Sequence, residues 1–98
     1  ENLDQAMNEI ADYIGSGLMA VEAVPAAIGL CVAAGGKTVE GICAAVNIGN
    51  DTDTVATMVG GILGALNGVD SMPESYMRII EQENHFALDE LAKEIVNF

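Results

Sequence analysis

Residues 48–68 read IGNDTDTVATMVGGILGALNG, and how this stretch divides decides the fold. From Val55 to Leu66 it is apolar at nearly every position with no period-two alternation, and Asn67-Gly68 supplies an exit signal. The pattern predicts a helix beginning at Asp51 or Thr52 and ending near Leu66. Within it Ala56, Gly60 and Gly64 recur at four-residue steps, leaving one face nearly bare and predicting close approach of another helix there. The front of the stretch, Asp51-Thr52-Asp53-Thr54, puts two carboxylates and two hydroxyls in consecutive positions. At a helix start Asp51 can cap backbone N–H groups, and the helix dipole favours both carboxylates. In a first turn, side chains at relative positions 0, 2 and 3 can also converge beyond the helix end. Asp51, Asp53 and Thr54 would then offer the hard oxygen donors that Mg²⁺, Mn²⁺ or Ca²⁺ prefers. Spacing alone leaves cap and metal site both open. The EF-hand pattern is absent, and three ligands do not complete an octahedron, so waters and side chains from elsewhere would be needed.

Working outward, helical periodicity continues in both directions. Leu3, Ala6, Met7, Ile10, Ala11 and Ile14 form the stripe of an amphipathic helix with Asp4, Glu9 and Asp12 toward solvent, ended by Gly15-Ser16-Gly17. Residues 19–34 are apolar on every face apart from Glu22, the mark of a helix enclosed by others, and Gly35-Gly36 stops them. Because proline is tolerated only in a first turn, Pro25 predicts that Glu22 to Val24 form a loop or cap. Thr38 is the predicted N-cap of a third helix through about Asn47, with Val39, Ile42, Cys43 and Val46 on its apolar face. Pro73 opens a fifth helix, Glu74 to about Glu81. A sixth runs from Phe86 to Val96 with Leu88, Leu91, Ala92 and Ile95 inward. The predicted fold class is all-α, a helical bundle segment with short connections.

Composition bounds the rest. The 98 residues are 51% hydrophobic but contain two Phe, two Tyr and no Trp, so one small domain with a core of Ala, Ile, Leu, Val and Met is expected. Fifteen acidic against three basic residues give a net charge of -12, which excludes electrostatic binding to nucleic acid or anionic lipid and favours cations. The apolar stretch from Val55 to Leu66 is far short of the ~20 residues that span a bilayer. Cys31 and Cys43 lie in apolar text without CxxC spacing or neighbouring histidines, so both are predicted to be buried free thiols in a reducing, cytoplasmic setting. The chain opens on Glu1 with helical text at once, which predicts a segment of a longer polypeptide. Two of its helices, at residues 19–34 and 52–66, are too apolar for exposure. They are expected to be covered by the missing N-terminal part of the same domain or by self-association.

Other candidate chemistry is sparse. Gly15-Ser16-Gly17 could expose N–H groups to a phosphate or ribose but lacks a Walker lysine, and a plain interhelical turn is the simpler reading. His85, beside Asn84 near a predicted helix start, reads as a surface or capping residue. Ser16, Ser71 and Ser75 have no serine-histidine context.

The words AAVNIGNDTDTVATMVGGILGALNG, residues 44–68, resemble the C-terminal signature of the ADP-ribosylglycohydrolase family. So do GSGLMAVEAVPAAIGL at 15–30, similar to the family's Gly-x-Gly segment followed by Glu-x-x-Pro-x-Ala, and MPESY at 72–76. The resemblance implies an all-α fold holding two Mg²⁺ or Mn²⁺ ions and hydrolysis of a glycosidic bond to ADP-ribose on a modified protein or small molecule. It places Asp51, Asp53 and Thr54 on the C-terminal metal ligands and Gly17 and Leu18 near the adenosine and ribose side of the cleft. The remaining ligands and the catalytic acid or base belong to an N-terminal region outside this chain, so the chain alone is expected to be inactive. Asn50 stands where many members have glycine, and Tyr76 where tryptophan is usual. The competing expectation is a non-catalytic helical binding or structural protein in which the Asp-Thr-Asp-Thr run only caps a helix.

Overall fold

In the computed structural model, which describes residues 2–85 and 87–97, six α-helices follow one another in the order read from the periodicity. They are α1 (Leu3–Tyr13), α2 (Ala20–Ala33), α3 (Thr38–Asn47), α4 (Thr52–Asn67), α5 (Glu74–Asn84) and α6 (Leu88–Val96), with a 3-10 turn at Val69–Ser71. There is no strand among the described residues. The all-α expectation therefore holds.

The core is built by α2, α3 and α4, with α1 laid along α2. Ala23, Ala27, Leu30 and Cys31 of α2 meet Ala44 and Ala45 of α3 and Val55, Val59 and Leu63 of α4. Leu3, Met7 and Ile10 of α1 pack against this cluster from one side. Small side chains let the axes come near enough to exclude water without aromatics, as the composition required. α1 begins with a true cap, in which Gln5 N–H donates to Asn2 Oδ1 at 2.7 Å.

Several expectations are corrected. Glu22 to Val24 are helical, because α2 starts at Ala20 and carries Pro25 as its sixth residue. The missing Pro25 N–H deprives only the Val21 carbonyl, in the first turn and on an exposed residue, while burial of Ala23, Ala26 and Ala27 holds the helix together. Thr38 is the first residue of α3 rather than its cap; Lys37 is the N-cap and makes no side-chain bond. The buried Thr38 hydroxyl instead donates to Ser71 Oγ at 2.9 Å and accepts from Asn67 Nδ2 at 2.9 Å, tying the start of α3 to the end of α4.

The close helix approach also lies elsewhere. A Cβ at Gly64 would meet nothing within 4 Å, and one at Gly60 would make ordinary contact with Ile42 at 3.7 Å. It is Gly41 of α3 whose missing side chain admits α4. A Cβ there would collide with Leu63 Cδ1 and lie 3.2 Å from Val59 Cγ1.

Cys31 is buried, and that burial pushes its thiol above the ordinary value; Cys43 is exposed, on the outer side of α3, contrary to expectation. Leu91, Ala92 and Ile95 of α6 are exposed rather than inward. Together with Val69, Met77 and the half-buried Leu88 they line a shallow cavity of about 380 Å³. The predicted start of that helix at Phe86 lies outside the described residues. His85 closes α5 in a left-handed conformation (φ 59°), its N–H donating to Glu81 O at 2.9 Å, so it ends one helix rather than starting the next.

The enclosure expected for residues 19–34 is not met within this chain: α2 and α4 present apolar surface to solvent, because the neighbouring helices cover one side of each only. Val21, Val24, Ile28 and Val32 form a stripe along α2 that is 42 to 75% exposed, and Ile62 and Leu66 of α4 are exposed as well. Among the described residues, no helix is long and apolar enough to cross a membrane.

Candidate metal-binding turn

The residues between α3 and α4 are set by backbone chemistry before any side chain is considered. Ile48 ends α3, and then Gly49 (φ 100°) and Asn50 (φ 60°) take successive left-handed conformations. Glycine adopts such a geometry freely and asparagine is among the few residues that tolerate it. Asn50, which stands where the resemblance leads one to expect glycine, is thus conformationally accommodated. This double reversal delivers Asp51 to the N-cap position of α4, with φ -82° and ψ 62°.

Asp51 occupies the cap position without acting as a cap. Its carbonyl accepts the first helical bond from Val55 N–H at 3.1 Å, but its side chain makes no capping hydrogen bond. The predicted capping bond is therefore absent, and the half-buried carboxylate is left for another partner. Asp53 follows two positions on and is exposed; Thr54 follows next and is half-buried. Neither side chain is engaged in a hydrogen bond with another described residue, whereas Thr57 one turn further bonds back to Asp53 O at 2.7 Å. The first turn of α4 thus carries two carboxylates and a hydroxyl with no hydrogen-bond partner among the described residues, a donor set that fits a hard divalent cation. No three His, Cys, Asp or Glu side chains gather among the described residues.

A test of the unused cap follows. In the metal-free protein, Asp51→Ala and Asp51→Asn are expected to lower stability equally, by the ~0.3–1 kcal/mol of a charge near a helix N-terminus. A working cap would make alanine about 1 kcal/mol worse than asparagine, a difference readable in urea midpoints.

The structure brings the two sequence-predicted segments together. The hydroxyl of Ser16 donates to Gly49 O at 2.8 Å, and the Asp51 N–H donates to Ser16 O at 3.0 Å. Gly15-Ser16-Gly17 is therefore not merely an interhelical turn but one wall of the Asp51 turn. Gly17 is half-buried there, while Leu18 projects with 85% exposure. Glu22, the single charge in the apolar text of α2, folds back over both glycines. A Cβ on Gly17 would sit 2.7 Å from Glu22 Oε2, and one on Gly15 (φ 91°) would overlap Oε1. Sequence reasoning noticed Gly-Ser-Gly and Glu22 but missed that Ser16 is fully buried and bonded to residues more than thirty positions away. The available signal was a lone polar side chain between two glycines beside an otherwise apolar helix.

The sequence profile described as ADP-ribosylglycohydrolase matches residues 1–97. ADP-ribosylhydrolase ARH3 of Homo sapiens is 36% identical over 94 residues, which cover 83% of this chain and 26% of that protein. ADP-ribosylhydrolase ARH3 of Danio rerio is 32% identical over 101 residues, covering 92% of this chain and 26% of that protein. YegU of Escherichia coli K12, described as uncharacterized, is 28% identical over 100 residues, covering 100% of this chain and 29% of that protein. The chain thus spans 26 to 29% of the length of these relatives. No solved structure matches it at a significant level.

Proposed function

Since the chain belongs to the ADP-ribosylglycohydrolase family, we propose that it forms the C-terminal part of a metal-dependent hydrolase that releases ADP-ribose from a modified protein or small molecule. The observation that carries this reading is the first turn of α4, where Asp51, at the N-cap position, leaves its carboxylate without the capping bond that would otherwise explain it. A non-catalytic protein using the run only as a cap is disfavoured by the same observation.

In this reading Asp51 and Asp53 hold Mg²⁺ or Mn²⁺ through anionic oxygens and Thr54 adds a neutral one. Such a centre, when loaded, supplies positive charge that orients sugar hydroxyls and makes a bound water more acidic. Gly17 and Leu18 lie on the ribose and adenosine side; Leu18 offers exposed apolar surface to the adenosine, while the space beside Gly17 is taken by the Glu22 carboxylate. Three protein oxygens do not fill the coordination shell. The other ligands and the group that moves the proton come from a different part of the polypeptide. That part, or self-association, also covers the stripe of Val21, Val24, Ile28 and Val32, whose exposure calls for a partner.

The test is release of ADP-ribose from an ADP-ribosylated substrate by the intact protein. Activity is expected to vanish with EDTA and return with Mg²⁺ or Mn²⁺; turnover indifferent to chelation would refute metal dependence.

A further inference from the structure

We propose that Ser16 is a positioning residue for the Asp51, Asp53 and Thr54 ligand set, an inference that rests on the metal reading above and adds a residue the motif itself does not contain. Ser16 is fully buried, yet it lies in a connecting segment where a serine is ordinarily solvated. Both of its hydrogen-bonding ends are committed to one short turn. The hydroxyl donates to Gly49 O at 2.8 Å and the carbonyl accepts from Asp51 N–H at 3.0 Å, so the two bonds bracket Asn50.

The bracketed residues are the ones with most to gain from being held. Gly49 and Asn50 both have positive φ, and glycine can leave that conformation at little steric cost. Asp51 inherits whatever rotation they make, and with it the direction of its carboxylate and of the first turn of α4. A polar tie from a different helix pair removes that freedom before an ion arrives. On the other side, the Glu22 carboxylate lies against Gly15 and Gly17. The α1–α2 and α3–α4 connections thereby act as one unit at the site.

The experiment measures Mn²⁺ affinity of the intact protein by the electron paramagnetic resonance signal of free Mn²⁺, for wild type, Ser16→Ala and Ser16→Cys. Leu63→Ala serves as a control that loses stability far from the turn. Removing the hydroxyl is expected to weaken Mn²⁺ binding about tenfold, the lower end of what a partner of a ligand shell contributes. The control is expected to bind as wild type at a temperature where both are folded. Equal affinity in wild type and a folded Ser16 variant overturns the role of Ser16, as does an equal loss in the Leu63 control. Wild-type protein that takes up no Mn²⁺ overturns the metal reading instead. Should neither Ser16 variant fold, hydrogen exchange of the wild-type Asp51 amide decides. Protection supports the tie, and exchange at the rate of an unstructured chain overturns it.

Discussion

Replacing Asp53 by alanine in the intact protein is expected to lower ADP-ribose release at limiting Mg²⁺ by on the order of 100-fold or more. Even residues that only support a metal ligand change affinity or activity by about 10- to 100-fold, and Asp53 is proposed as a direct anionic ligand. Its loss also removes negative charge from a site that must balance a divalent cation, so raising the metal concentration is expected to recover part of the activity. The substitution separates function from folding cleanly. Asp53 is exposed and its side chain bonds to no described residue, so its removal costs only the dipole contribution of about 0.3–1 kcal/mol. Turnover plotted against Mg²⁺ for wild type and mutant is the measurement. Superimposable curves would eliminate Asp53 from the site.

The largest effect on stability is expected at Leu63. Its side chain is fully buried in the core cluster and its Cδ1 fills the space left by the absent side chain of Gly41. Leu63→Ala removes three carbons and leaves a cavity that two helix backbones cannot close, for a cost of about 2–5 kcal/mol. Against a total stability of roughly 5–15 kcal/mol for a domain, that is a large share. Gly41→Ala alone forces its methyl onto Leu63 and Val59. In the Leu63→Ala background the same methyl enters vacated space and adds helix propensity. A double-mutant cycle followed by urea unfolding is expected to give a favourable coupling of about 0.5–3 kcal/mol. Strict additivity would show that the two positions do not share that space.

What was legible in the sequence was local. Apolar residues at three- and four-residue steps located α1, α3 and α4 to within a residue or two, because periodicity reports which side of a helix is buried. The start of α4 at Asp51 or Thr52 was legible as well, since a polar run of Asp and Thr directly before an apolar stretch marks a helix beginning. The errors came where distant contacts decide. Pro25 was read as a boundary, but packing of Ala23, Ala26 and Ala27 outweighs one lost hydrogen bond. Gly60 and Gly64 looked like the notch between α3 and α4, yet how tightly a glycine is approached depends on helix rotation, and at that seam it is Gly41 that has no room for a side chain. Cys43 sits at a helical step that reads as apolar but turns outward. The Ser16 bond to Gly49 joins two connections far apart in sequence, and its one local sign, a lone polar residue between two glycines, does not identify the partner. The apolar residues of α6 were placed inward, but they border a shallow cavity with Val69 and Met77 and take no part in the buried core cluster.

The tight seating of α4 against Gly41 bears on the order in which the molecule assembles. α3 and α4 share the most extensive packing in the chain and are separated by only the four residues 48 to 51. Closing so short a connection costs little chain entropy, so this hairpin can form early and quickly. The turn bearing Asp51 is the hinge of that hairpin. Its backbone would then be shaped during folding itself, leaving an arriving ion to exchange its waters for ligands rather than to organise the chain.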